Sequence, residues 1–248
     1  IIGVDLDEKL YRIFPYSYFL DQIRNRNNYL RRPDKWDDPM ENVLLKLPWE
    51  TNIGRKVSPT EQLNSWFGQC WTRNSIESDQ LWRIYAPQKD GVFVGTTAAK
   101  LIGTISDETS EFNHMTSWLR AIEYISEKRF EELLMAKDAY KFLIDSEGQG
   151  PSDLLGLKRE SFRHENEVRL IHHDLNIAGG SGANPLGKTF PIDPNDLFEF
   201  VILDPRLSID EASQRTEELR NSGYVNSISH SQLYTVKLPA GHKIIIWG

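Results

Sequence analysis

The chain has 248 residues, with 29 Lys+Arg against 36 Asp+Glu for a formal net charge of −7. That length can bury a core without disulfide or metal staples, and the acidic balance argues against non-specific binding to nucleic acid or to an anionic membrane. The single cysteine, Cys70, excludes an internal disulfide framework and a thiolate zinc site, and no apolar run approaches the ~20 residues of a membrane span.

The opening segment IIGVDLDEKLY is too short and too acidic for a secretory leader, and the missing initiator Met leaves room for a preceding segment. A reducing cytoplasm is the expected location. In chain order, residues 10–14 alternate like a strand, and Phe19, Leu20 and Ile23 then fall at helical spacing. Residues 29–31 read as a strand stopped by Pro33, residues 48–60 as a loop, 60–66 as a helix and 67–72 as a strand. Ser78 is placed to cap a helix over 79–85, and GVFVGT at 91–96 is a β-branched strand. From Met115 to about Phe142 the apolar residues keep a helical rhythm. A loop follows at 145–153, a strand at 165–172, a Gly-rich stretch at 174–188 and a central strand at 198–203. Ser208 and Glu211 form a capping box for a helix that Gly223 ends, with short strands at 228–230, 233–236 and 243–247. Strands and helices do not alternate regularly, so the fold class is α+β, and one domain over 1–248 is expected.

Several tempting patterns fail on physical grounds. Gly182 to Thr189 has phosphate-loop spacing, but Pro191 and Pro194 block the helix whose N-terminus would face the phosphates. His172 and His173 are adjacent on a strand, so they point to opposite faces and cannot share one metal ion. Ser181 misses the nucleophile-elbow spacing by one residue. Arg24, Arg26, Arg31 and Arg32 cluster around Tyr29 and read as a solvated helix end rather than a phosphate site. Glu165-Asn-Glu167-Val-Arg169 is more informative. On a strand it puts two carboxylates and a guanidinium on one face, and the carboxylates repel unless a cation, ligand or water relieves them. The alternative for this stretch is a surface ladder in which Arg169 pairs with Glu167.

Sparse motifs recur in a fixed order: Leu10-Tyr-Arg12-Ile-Phe14, Trp36-Asp-Asp-Pro-Met-Glu41, Cys70-Trp-Thr72, then Leu81-Trp82-Arg-Ile-Tyr85-Ala86 followed by Gly91-Val-Phe-Val94. The series ends with Phe162-Arg-His-Glu165-Asn-Glu167-Val-Arg169. Together they resemble the bacterial family called domain of unknown function 2971, with departures at Trp36-Asp37, Leu81, Phe162 and Val168 that mostly conserve size. The layout is also similar, more distantly, to the ADP-ribosyltransferase superfamily. That resemblance implies a mixed or antiparallel sheet core with flanking helices, spanning about residues 10–206. It also implies NAD as cofactor and no metal. Carried over by motif, Arg12 becomes the first-strand NAD ligand, Thr72 the middle-strand hydroxyl, and Glu165 or Glu167 the catalytic acid. Trp36, Tyr85 and Arg169 join as cofactor-binding candidates, with core packing the alternative for Trp82 and Tyr85.

The function so implied is a cytoplasmic bacterial protein that binds NAD and transfers from it or hydrolyses it. Its partners would be a small-molecule nucleotide and a protein or nucleic-acid acceptor, with no membrane, in a phage-defence or toxin setting. The rival is a non-catalytic binding or accessory module of such a system, which the many aromatics would also suit. A third reading gathers Asp37, Asp38, Glu41 and Glu165 around magnesium. Three of the seven tryptophans, Trp36, Trp71 and Trp82, fall within the motifs and are expected around one core or cleft.

Overall fold

The computed structural model describes residues 1–36, 38, 41, 49–50, 54, 56–57, 63–106, 116–135, 149–179 and 184–235. Strand β1 (Lys9–Pro15) leads into a helix over Tyr16–Asn25, which the left-handed Arg26 ends, and then into β2 (Asn27–Arg31). Two short strands, β3 (Trp49–Glu50) and β4 (Lys56–Val57), pair only with each other. After a 3-10 turn at 63–65 comes β5 (Trp66–Thr72), then the helix Asp79–Tyr85, capped as expected by the Ser78 hydroxyl, which accepts from the Leu81 amide at 3.2 Å. Strand β6 (Gly91–Thr97) and the helix Ala98–Gly103 precede β7 (Ser117–Ala121), β8 (Glu123–Ile125) and the helix Glu127–Met135. The helix Gln149–Leu155, β9 (Leu157–Arg159) and the 3-10 helix Glu160–Glu165 lead into β10 (Glu167–His173). A short helix at Leu175–Ala178, β11 (Gly187–Pro191), the turn of helix Pro194–Leu197 and β12 (Phe200–Leu203) follow. The helix Ile209–Asn221, opened by the complete Ser208–Glu211 capping box, and β13 (Ser227–His230) complete the described elements.

Nine of these strands form one mixed, mainly antiparallel sheet flanked by helices, as the α+β expectation required. Its organisation turns on β5. One edge of β5 pairs along its whole length with β10, which pairs in turn with β7. The other edge is shared: Gly68 pairs with Arg31 of β2, and Thr72 pairs with Tyr11 of β1. The sheet therefore forks at β5. One branch runs through β2 to β11, the other through β1, β6 and β12 to β13.

One face carries the main core, built on Leu10, Phe14, Phe67, Trp71, Val94, Val168 and Leu170 and covered by the helices Tyr16–Asn25, Ala98–Gly103 and Ile209–Asn221. The other face carries two smaller clusters. One groups Leu63, Trp66, Trp118, Leu154, Leu155 and Ile171; the other groups Ile13, Leu81, Trp82, Ala86 and Phe93. Between them this face is interrupted by Cys70 and Thr72 on β5, and by Glu167 and Arg169 directly opposite them on β10. The motif tryptophans do not share one core as expected: Trp71 joins the main core, Trp82 the second small cluster, and Trp36 packs against the first.

Four expectations along the chain are corrected. Where a helical rhythm was expected from Met115, β7 and β8 are strands, because Trp118 and Leu119 are both buried but on opposite sheet faces; the helix begins only at Glu127, and residues 107–115 and 136–148 lie outside the described set. The loop expected at 145–153 gives way to a helix from Gln149; of the helix expected at 60–66, residues 63–65 form a 3-10 turn, the buried Trp66 belongs to β5, and 60–62 lie outside the described residues. Residues 233–235 form no strand, and 236–248 lie outside the described residues. The phosphate-loop mimic ends in a strand, since Gly187 to Pro191 pair with β2 along the sheet edge. No helix among the described residues is long and apolar enough to cross a membrane.

Candidate active site

Period two on β10 puts Glu167 and Arg169 on the interrupted face, in register with Thr72 and Cys70 of β5. Glu165 is not on the strand, contrary to expectation. It ends the 3-10 helix, and Asn166, left-handed at φ 44°, turns the chain into β10. Asn tolerates that conformation better than most residues with a side chain. Both carboxylates nevertheless reach the same cation. Lys158 of β9 places its ammonium 2.9 Å from Glu167 Oε2, 2.5 Å from Glu165 Oε2 and 3.1 Å from Glu41 Oε1.

Arg169 closes the cluster. Its Nε donates to Glu167 Oε1 at 2.6 Å, Nη2 to Glu41 Oε1 at 2.7 Å and Nη1 to the Leu155 carbonyl at 2.7 Å. The Trp36 ring lies over this guanidinium at 4.3 Å, seated on Gly68, where a Cβ would stand 2.7 Å from Trp36 Cζ2. Glu41, Glu165, Glu167, Lys158 and Arg169 are all buried. Three carboxylates against two cations leave one excess negative charge in this pocket. The alternative of a surface ladder is corrected in its exposure only: Arg169 does pair with Glu167, but within a buried network.

Electrostatics separate the two candidate acids. Burial pushes the Glu167 carboxyl up, but Arg169, by charge and hydrogen bond, and Lys158 outweigh it and hold the group down at about 2. Both Glu167 oxygens accept hydrogen bonds, from Arg169 and Lys158, and its amide donates to the Tyr124 hydroxyl at 2.8 Å. Glu165 has one oxygen on Lys158, and its other oxygen has no partner among the described residues. Burial and the nearby carboxylate of Glu167 push the Cys70 thiol well above its ordinary value, so it is a packed neighbour and not a nucleophile.

The remaining candidates take distinct positions. The Thr72 hydroxyl donates to the Glu165 carbonyl at 2.6 Å and accepts from the Asn74 amide at 3.0 Å, so it fixes the turn that carries Glu165. Half-exposed Tyr85 faces the same region: burial first, then the Glu165 charge, raises its phenol. Arg12 stands where β1 parts from β5, with its guanidinium 4.7 Å from the Phe14 ring and with Cys70 and Tyr85 as electrostatic neighbours. It has no ion pair among the described residues. Burial lowers its guanidinium to about 10, which still leaves it charged at neutral pH. By alternation Arg12, between Leu10 and Phe14 and paired with Val94, belongs to the main-core face, whereas Cys70 and Glu167 belong to the other, so the strand register does not put Arg12 and Glu167 on one face of the sheet.

A groove of about 480 Å³ is lined by Asn74, Ser78, Gln80, Leu81 and His164 among others, and none of the five buried charged residues lines it. Lys158 escaped the sequence reading; its signal is only a basic residue seven positions before Glu165. Glu41, a magnesium-ligand candidate in the sequence, sits at a turn, its amide donating to the Asp38 carbonyl at 3.1 Å. Protein cations occupy the space the magnesium reading gave to a metal, and Asp37 lies outside the described residues. In the arginine cluster exposed Arg24 and Arg26 pair with Glu218 and Asp193, in line with the solvated reading, whereas Arg32, paired with Asp34, is buried and departs from it.

Residues 81–170 match one family model. It is the family described as "Protein of unknown function (DUF2971)". The matched stretch takes in Tyr85, Lys158, Glu165, Glu167 and Arg169 but not Arg12, Trp36, Glu41 or Thr72. Comparison with curated proteins returns no match. Among solved structures, the chain is similar to Thermus sp. 2.9 DarT in complex with NAD+, at TM-score 0.41 and 10% identity over 93% of this chain and 98% of that one. It is likewise similar to Thermus sp. 2.9 DarT in complex with ADP-ribosylated ssDNA, at TM-score 0.42 and 10% identity over 92% and 96%.

Proposed function

We propose that this protein binds NAD and cleaves its ribose–nicotinamide bond, passing the ADP-ribosyl group to an acceptor or to water. The observation that carries the reading is the meeting of sequence-distant motif residues: Glu165, Glu167 and Arg169 with Thr72 and Tyr85. When bound, NAD would supply a glycosidic bond whose cleavage develops positive charge on the ribose. Arg12 suits its phosphates, because a charged guanidinium with no ion pair among the described residues offers a planar clamp for phosphate oxygens. The excess negative charge of the buried cluster favours the positive charge that develops. Glu165 is the carboxylate with an oxygen to spare for that task, while Glu167 is the anchor that Arg169 and Lys158 hold in place. Tyr85, partly exposed and an electrostatic neighbour of Glu165, offers a wall. The family resemblance extends the proposal to a cytoplasmic bacterial protein, with a protein or nucleic-acid acceptor, in a toxin or phage-defence setting.

The test is NAD consumption and acceptor labelling by the wild type, Glu165→Gln, Glu167→Gln and Arg12→Ala. Glu165→Gln is expected to lower kcat by about 10²-fold or more, the cost of losing one transition-state charge contact. Arg12→Ala is expected to act mainly on KM. A wild type that neither binds nor consumes NAD, with protein and nucleic-acid acceptors supplied, overturns the reading.

A further inference from the structure

The five buried charges are not equivalent. Arg169 touches Glu41 and Glu167 but not Glu165. Lys158 touches all three carboxylates and is the one cation among the described residues paired with Glu165. An ammonium has three N–H donors, and here each has a carboxylate oxygen within reach. Two features fix its place. Lys158 lies on β9, whose parallel pairing with β8 sets it opposite Tyr124, and its ammonium sits 5.0 Å from the centre of the Phe162 ring.

We infer that Lys158 is the positioning residue of this site: it binds one oxygen of Glu165 and leaves the other free to face a substrate. This rests on the reading of Glu165 as the reacting carboxylate, but its physical content stands without it. The groups facing Glu165 are Lys158 from β9, Tyr85 from the helix Asp79–Tyr85, Tyr124 from β8, and Glu167 from β10, with Glu41 across the ammonium. Of these only Lys158 is a cation; on the 3-10 helix of Glu165 itself, Arg163 turns to the Tyr124 ring and to Glu160. Without the lysine, a buried Glu165 would face two carboxylates and two phenols, and its proton would be held more tightly.

The experiment uses full-length protein with 13C-labelled glutamate side chains, titrated by NMR without any ligand, as wild type, Lys158→Met and Lys158→Arg. Glu165→Gln, which deletes one resonance, assigns the signal. The Glu165 titration is expected to move up by more than one pH unit in Lys158→Met and to return most of the way in Lys158→Arg. Should Lys158→Met fail to fold, the double variant Lys158→Met/Glu165→Gln is expected to recover stability, since it removes one of the repelling charges as well. If wild type consumes NAD, the acid limb of kcat is expected to shift up in Lys158→Met, with KM changed less than kcat. An unmoved Glu165 titration in folded Lys158→Met overturns the inference, as does a double variant no more stable than the single. Absent NAD turnover, by contrast, overturns the proposed reaction and leaves the titration result standing.

Discussion

The two ends of β10 bury ionisable side chains by opposite means. At the start of the strand, Glu167 and Arg169 stay charged and are matched, oxygen by donor, with Lys158 and Glu41. At its end, His172 and His173 are held neutral, burial pushing both imidazoles down to about 4. His172 meets the edge of the Phe190 ring on one face, while His173 stacks on Trp66 at 4.2 Å on the other. The neutral solution needs only apolar neighbours and tolerates change. The charged solution holds only while every partner is present, because a buried charge left alone costs several kcal/mol.

Arg169→Met breaks that contrast most severely. It removes the guanidinium shared by Glu41 and Glu167 and the donor to the Leu155 carbonyl, leaving three carboxylates around one ammonium. A loss of about 3 to 5 kcal/mol is expected in urea unfolding at neutral pH. A loss under about 1 kcal/mol would mean that the network contributes little to the fold.

Gly68→Ala acts on the cover and not on the charges. The added Cβ would come within 2.7 Å of the Trp36 ring, which must then leave its seat over Arg169. The expected cost is about 1 to 3 kcal/mol. A red shift of tryptophan emission is expected to accompany it, as water reaches a ring that was packed against the cluster. Unchanged emission would place Trp36 elsewhere in solution.

The sequence disclosed elements wherever a local rule sufficed. Alternation located β1, a β-branched run located β6, and hydroxyl caps located the helices after Ser78 and Ser208. It misled where burial on both faces of a sheet produced a contiguous apolar run, as at Trp118-Leu119, since two strand faces together resemble one helix stripe. In the site, the spacing of Glu165, Glu167 and Arg169 was visible because one short segment carries all three. Lys158 was invisible because its role depends on β9, a three-residue strand outside the main sheet that brings it against them. Glu41 stood in a motif, but only the fold could tell a turn residue from a partner of Arg169. Likewise the pairing of Thr72 with the Glu165 backbone is a contact across 93 positions that no local pattern encodes.

The mildest test addresses the neutral end of the strand. His172→Leu keeps an apolar group beside Phe190 and gives up the contact with the Lys188 ammonium at 3.1 Å, so a change of about 1 kcal/mol or less is expected at pH 8. Acid separates the variant from the wild type. The ordinary imidazole value is 6.5, and His172 sits near 4 in the folded chain because of burial first and the Lys188 charge second. The unfolded chain therefore takes up the proton earlier. The stability His172 contributes is complete above about pH 6.5 and is lost as the pH falls toward 4. The wild type should weaken through that window more steeply than His172→Leu, while both should share a second loss between about 4.5 and 2 as Glu167 takes up its proton. Parallel curves from pH 7 to 4 would mean that the histidine titrates alike in the folded and unfolded chains, and that the two ends of β10 differ less than their geometry implies.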